Sequence, residues 1–312
     1  MSVVRPREFP LGGLRAMTVR RTLPNRERTT IGAWCFLDHF GPDHIADTGG
    51  MSVAPHPHTG LQTVSWLFSG EIEHRDSVGS RQLIAPGQLN LMTAGRGIAH
   101  SEISTLGSEW VHGVQLWVAL PDEHRHVDPF FEHVAAPRVN LATGDGNGQA
   151  IITVFVGALL GVESAATTFS PLMGAEIVMP AQSSIKIPVD HDFEHGILID
   201  QGTLVVNGER GEETELLYLG SGAKMLNLST HDAPVRAVLV GGLPFDEQLV
   251  MWWNFIARSH EEVVALRDEW QRDVIDGLNP GGRFGRVDFE GPSIPAPAMP
   301  KVRLRARGPI RP

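Results

Sequence analysis

The stretches Pro55-His56-Pro57-His58-Thr59-Gly60 and Gly95-Arg96-Gly97-Ile98-Ala99-His100-Ser101-Glu102 each carry two metal-capable side chains two residues apart: His56 with His58, and His100 with Glu102. Residues i and i+2 of an extended segment project from one face, so each pair is a two-pronged clamp if its segment is a strand. Extension is expected. Pro57 pushes His56 away from helical dihedrals, and the strand-forming run Thr63-Val64-Ser65-Trp66-Leu67-Phe68 follows. Gln88-Leu89-Asn90-Leu91-Met92-Thr93 and a Gly-Arg-Gly turn lead into the second pair. Two such strands side by side offer three imidazoles and one carboxylate to a single point. That donor set, without thiolate, suits Fe(II), Mn(II), Co(II), Ni(II), Cu(II) or Zn(II) and is too rich in nitrogen for Mg(II) or Ca(II). An octahedral ion would keep two positions for water or substrate, which implies chemistry or ligand capture rather than a structural role.

The chain has 14 histidines, so one His-x-His pair carries little weight by itself. The rival pair, His124 and His126, sits in the polar run Pro121-Asp122-Glu123-His124-Arg125-His126, with neither an apolar wall nor a second clamp, and reads as an exposed loop. His39 reads as a hydrogen-bonded structural histidine. His191 and His195, four apart, would share a strand face but lie too far apart for an easy chelate.

A length of 312 residues suggests about two domains. With 26 Lys and Arg against 36 Asp and Glu, the formal charge is −10, which disfavours direct nucleic-acid binding because phosphate neutralisation needs a basic field. Cys35 is the only cysteine, which excludes an intramolecular disulfide and a thiolate-rich metal site. No apolar run approaches transmembrane length and the opening residues lack a signal core, so the expected location is cytoplasmic, without a membrane partner.

The 34 glycines and 22 prolines, with one long helical pattern, read as many short strands joined by turns, the mark of an all-β sandwich or barrel. Beyond His58, the even positions Gln62, Val64, Trp66 and Phe68 share the clamp's face if no bulge intervenes at Thr59-Gly60, giving an aromatic wall for a flat ligand. Arg15, Arg20, Arg21, Arg26 and Arg28 read as a solvated surface, with docking onto carboxylates as the alternative. Thr143-Gly144-Asp145-Gly146-Asn147-Gly148 reads as a linker or hairpin turn. Ser259 and Glu262 form a capping-box pattern opening a helix with Val263, Leu266, Trp270 and Val274 on one face. Met251-Trp252-Trp253-Asn254-Phe255 is expected to pack that helix on a barrel, and a Pro- and Arg-bearing tail follows.

Taken together, Pro55-His56-Pro57-His58-x-Gly60, Gly70-Glu71-Ile72-Glu73-His74-Arg75-Asp76-Ser77-x-Gly79, Thr93-Ala94-Gly95-Arg96-Gly97-Ile98-Ala99-His100-Ser101-Glu102 and Gln115-Leu116-Trp117-Val118-x-Leu120-Pro121 resemble the pirin family of the cupin superfamily, most specifically over the first 135 residues. The resemblance implies an all-β bicupin, two antiparallel jelly-roll (cupin) β-barrels with a short C-terminal helix. Residues 1–135 would form a metal-binding barrel, 136–150 a linker, 151–245 a metal-free barrel, and 246–312 a helix and tail packing on the barrels. It implies one Fe(II) ion in the N-terminal barrel on His56, His58, His100 and Glu102, other divalent transition metals remaining open. Gln62 stands where cupins carry a glutamate, which leaves the ligands intact and alters their tuning. Thr59 stands where pirins usually carry Arg, which removes a cation near the mouth of the site.

The activity implied is of quercetin 2,3-dioxygenase type, with a small aromatic or enolic substrate and O2 as partners. The substrate hydroxyl would give its proton to Glu102, the only base among the four, and the ring would open with loss of CO. The alternative is a non-enzymatic, metal- and redox-dependent protein that binds and regulates a transcription or metabolic partner.

Overall fold

Short runs of β-branched and aromatic residues, cut at close intervals by glycines with positive φ, fold into antiparallel strands. The computed structural model describes residues 1–10, 17–144, 146 and 148–308, so Arg15, Asp145 and Asn147 lie outside the described residues. The chain divides into two units, each built from two antiparallel sheets.

The unit that carries both clamps comprises Phe9–Val19, Phe40–His133 and Asp246–Pro312. One sheet runs Ser52–His58, Ile98–Ser104, Ile72–Asp76, Arg81–Ile84. In the other, the order includes Phe130–Ala135, Gln88–Thr93, Leu61–Ser69, Trp110–Ala119. At one end the inner faces close over Met51, Val53, Leu67, Ile72, Ile84 and Val111, a fully apolar plug. Gly60 is the pivot between clamp and wall. Its φ of +71° turns the chain, and a Cβ there would lie 2.3 Å from the Ile256 carbonyl oxygen.

The helix begins where expected. His260–Trp270 follows Ser259, whose hydroxyl accepts from the Glu262 amide at 3.2 Å. Glu262 reaches back to the amide of Arg258, one residue earlier than a capping box requires. Val263, Leu266 and Trp270 pack with Phe255, Phe284 and Ala99 on the outer side of the ligand-bearing sheet, and Val274 adds to them from a π-helical turn, Gln271–Ile275. The aromatic run before the helix is a hairpin, Val250–Trp252 with Phe255–Ala257. The tail is docked, not free. The Ile294 amide donates to the Pro55 carbonyl at 2.8 Å, Trp270 Nε1 donates to the Ile294 carbonyl at 3.0 Å, and Arg75 donates to the Asp288 carbonyl at 3.0 Å.

The other unit comprises Met1–Glu8, Arg20–His39 and Val134–Phe245. Its larger sheet includes Ser2–Val4, Leu216–Leu219, Glu194–Gln201, Val235–Gly242, Leu172–Met179, Gln149–Val156 and Arg138–Ala142, and its smaller sheet Ser184–Pro188, Met225–Thr230, Leu204–Val206, Glu209–Gly211. Between them lie Ile152, Val154, Ile177, Ile197, Leu217, Leu219 and Leu239.

Three features differ from the sequence expectations. Residues 1–8 and 20–39 belong to this second unit, because Ser2–Val4 pairs with Leu216–Leu219, the Gly32 amide donates to Glu194 and Trp34 Nε1 lies 3.2 Å from the Met173 and Gly241 carbonyls. Residues 136–150 do not form a linker, since Arg138–Ala142 and Gln149–Val156 pair as antiparallel neighbours in the larger sheet. Arg21 and Arg28 follow the carboxylate-docking alternative instead of a solvated surface: Arg21, half-buried, forms a two-bond pair with Asp38, and Arg28 is buried over the Tyr218 ring beside Glu194. Among the described residues no helix is long and apolar enough to cross a membrane.

Candidate metal centre

Three neighbouring strands present pairs of polar side chains to the barrel interior. Register places His100 opposite His56 on one side and Asp76 on the other, and Glu102 opposite His74. Directly paired residues share a face, so His56 and His58, His100 and Glu102, and His74 and Asp76 all point inward. All six are buried. A register shift between His100 and Glu102 sets the latter off from the first strand.

His56, His58 and His100 converge, with ring centroids 4.4 to 5.0 Å apart. Each offers a nitrogen within 4.8 Å of the others. Glu102 falls in a second group of the same tightness, with His74 and His100, so His100 is common to both. The arrangement is a site of His/His/His/Glu type. His56 Nδ1 donates to the Ala54 carbonyl at 2.9 Å, which leaves its Nε2 as a lone pair. His58 Nδ1 and His100 Nε2 are buried and have no hydrogen-bond partner among the described residues. Unpartnered buried nitrogens are costly, and a cation among them supplies the missing partner.

The electrostatics favour neutral imidazoles. Burial lowers all three, with His56 down to about 4 and His58 and His100 well below their ordinary value, and repulsion among the neighbouring imidazoles adds to it. A metal ligand must be deprotonated, so these rings are ready to bind at neutral pH. Burial raises the Glu102 carboxyl, opposed by attraction to the neighbouring His74 and then by a hydrogen bond from Ser65.

The opposite sheet supplies the rest of the lining, from the odd positions of Leu61–Ser69. Ser65 Oγ lies 2.8 Å from Glu102 Oε1 and 2.9 Å from the Gln115 amide. A hydroxyl has one proton, which serves the carboxylate. Gln115 then fits with its nitrogen turned to Ser65, and this gives a partner to an otherwise unpartnered buried atom. Trp117 stands edge-on to His58 at 5.2 Å, and Phe131 stacks on His74 at 4.4 Å. Gln62, Val64 and Trp66 point the other way, with Gln62 bonded to Thr93. The aromatic wall is therefore Trp117 and Phe131, because the turn at Gly60 inverts the alternation.

Sequence reasoning passed over Ser65, Gln115, Trp117, Phe131, His74 and Asp76. A signal existed for the last two, which repeat the i, i+2 spacing of the clamps. The other histidines lie elsewhere. His124 and His126 occupy a turn, and His39 is buried and bonded to Asp200 at 2.7 Å. His191 is in an exposed turn before strand Glu194–Gln201 and shares no strand with His195.

The Pirin family profile matches residues 15–118, and the Pirin C-terminal cupin domain profile matches residues 174–276. The chain is 42% identical over 298 residues to a Pseudomonas aeruginosa protein named as a putative quercetin 2,3-dioxygenase, covering 95% of this chain and 90% of that one. A pirin-like protein of Caulobacter vibrioides is 32% identical over 286 residues, covering 89% and 94%. A crystal structure titled quercetin 2,3-dioxygenase from Acinetobacter baumannii superposes with a TM-score of 0.88 at 36% identity, covering 98% of this chain and 97% of that one.

Proposed function

This chain belongs to the pirin family, and on that premise we propose that it is an iron-dependent enzyme of quercetin 2,3-dioxygenase type, cleaving the ring of a flavonol or similar enol with O2. The observation that carries the reading is the convergence of His56, His58 and His100 beside Glu102, with buried imidazole nitrogens that a cation would satisfy. In this reading His56, His58, His100 and Glu102 hold one Fe(II), and another divalent transition ion fits the same donors. Bound there, the ion supplies Lewis-acid and one-electron redox chemistry.

The protein's own residues do the rest. Glu102 receives the proton of the substrate hydroxyl, its carboxyl already raised by burial and steered by the Ser65 hydroxyl. Trp117 and Phe131 provide flat apolar faces to position an aromatic ring. Burial of the cluster keeps bulk water from the reacting atoms.

Anaerobically loaded with Fe(II), the protein should consume O2 and release CO from quercetin in equal amounts, at a rate proportional to bound iron. Glu102→Gln should lower turnover by at least about 100-fold while retaining some metal. Iron-loaded protein that releases no CO from flavonols or related enols would overturn the enzymatic reading.

A further inference from the structure

Of the three inward-facing pairs, the ligand reading uses two. The third, His74 with Asp76, sits directly behind His100. His74 Nε2 lies 3.0 Å from Asp76 Oδ2, and its Nδ1 lies 3.3 Å from His100 Nδ1. Asp76 is itself fixed, since its Oδ1 accepts the backbone amides of Val78 at 3.0 Å and Ser80 at 2.9 Å. Phe131, stacked within 19° of parallel, fixes the plane of the His74 ring.

These contacts link the proton positions of Asp76, His74 and His100 into one chain. With Asp76 as an accepting carboxylate, the His74 proton sits on Nε2. A neutral imidazole has one N–H, so His74 Nδ1 is a lone pair and receives the Nδ1–H of His100. His100 Nε2 is then bare, and it is the buried nitrogen that has no partner among the described residues. We infer that Asp76 and His74 form a positioning pair that fixes the tautomer of His100, so that its Nε2 faces the ion as a lone pair. The inference rests on His100 being a ligand. His74 clusters with His100 and Glu102, yet both its nitrogens are engaged, and it positions rather than binds.

Asp76→Asn separates this role from a structural one. Its Oδ1 still accepts the two turn amides, but an NH2 now faces His74 Nε2. The chain of donors reverses: His74 carries its proton on Nδ1, and His100 carries its proton on Nε2, where the ion would bind. At about pH 8, where imidazoles are neutral, Asp76→Asn should weaken Ni(II) binding in a chelator competition by about 10–100-fold. In a His100→Ala background the same change should have no further effect, because it acts through His100. Long-range 1H–15N correlation spectra of the metal-free wild-type protein should show Nδ1–H on His100 and Nε2–H on His74, with both reversed in Asp76→Asn. The opposite tautomers in the wild type, or an equal loss of Ni(II) affinity with and without His100, would overturn the inference. Failure of the wild-type protein to hold Ni(II) would overturn the ligand reading instead, and the spectra of the metal-free protein would still decide the tautomers.

Discussion

The two barrels share an architecture and differ in their filling. One aims His56, His58, His74, Asp76, His100 and Glu102 inward, and the other aims Ile152, Val154, Ile177, Ile197, Leu217, Leu219 and Leu239. The second coheres by hydrocarbon burial, at about 25 cal/mol per Å² removed from water. The first forgoes part of that cohesion. Each buried polar atom without a partner costs about 1–3 kcal/mol, and His58 Nδ1 and His100 Nε2 are two such atoms. The polar interior thus costs stability that the apolar one does not.

The sharpest way to break this contrast is to add metal. Ni(II) at roughly 1,000 times its Kd should stabilise the histidine-lined barrel by about 4 kcal/mol. Hydrogen exchange should slow across residues 52–104 and stay unchanged across 150–240. Equal protection of both would erase the distinction. Next in size, Ile197→Ala should cost roughly 2–5 kcal/mol in denaturant unfolding, as expected of a packed hydrocarbon interior, with no change in metal bound per folded chain.

Acid gives a third comparison. Unfolded histidine protonates near 6.5, whereas folded His56 does so at about 4, so between these values the unfolded state binds more protons and stability falls as pH falls. For His56 alone the loss in the metal-free protein approaches about 3 kcal/mol by pH 4. Among the described residues the second barrel has His195, lowered by burial to about 4, whereas in the first His58 and His100 are also held well below their ordinary value beside His56. Exchange on acidification should accelerate first around residues 52–104, and acceleration first around Glu194–Gln201 would contradict this. The smallest effect is expected from Ser65→Ala, which removes one hydrogen bond to Glu102 and should cost about 1 kcal/mol in unfolding free energy without abolishing metal binding.

The clamps were legible because i, i+2 spacing in a strand is geometry the sequence carries directly. His56, His58 and His100 meet for that reason, and Ser259 opened the helix for an equally local one. The wall was illegible because a single residue, Gly60 at φ +71°, inverts the phase of the strand after it, exchanging Trp66 for Ser65 on the inner face. His74 and Asp76 had the right spacing, but their part depends on lying next to His100, which strand order sets and sequence does not state. The placement of residues 20–39 turns on long-range contacts between a side chain and a backbone group, Glu194 to Gly32 and Trp34 to Met173 and Gly241, whose backbone halves leave no trace in residue type.

The hydrogen bond from Ile294 to Pro55 has a consequence in time. At roughly 5–20 residues per second of synthesis, the amide that braces strand Ser52–His58 emerges some 10–50 s after the histidines it supports. During that interval the strand lacks its final anchor. The clamp on this strand therefore reaches its full bracing only after roughly 200 further residues have been added, so its last support is the product of late synthesis.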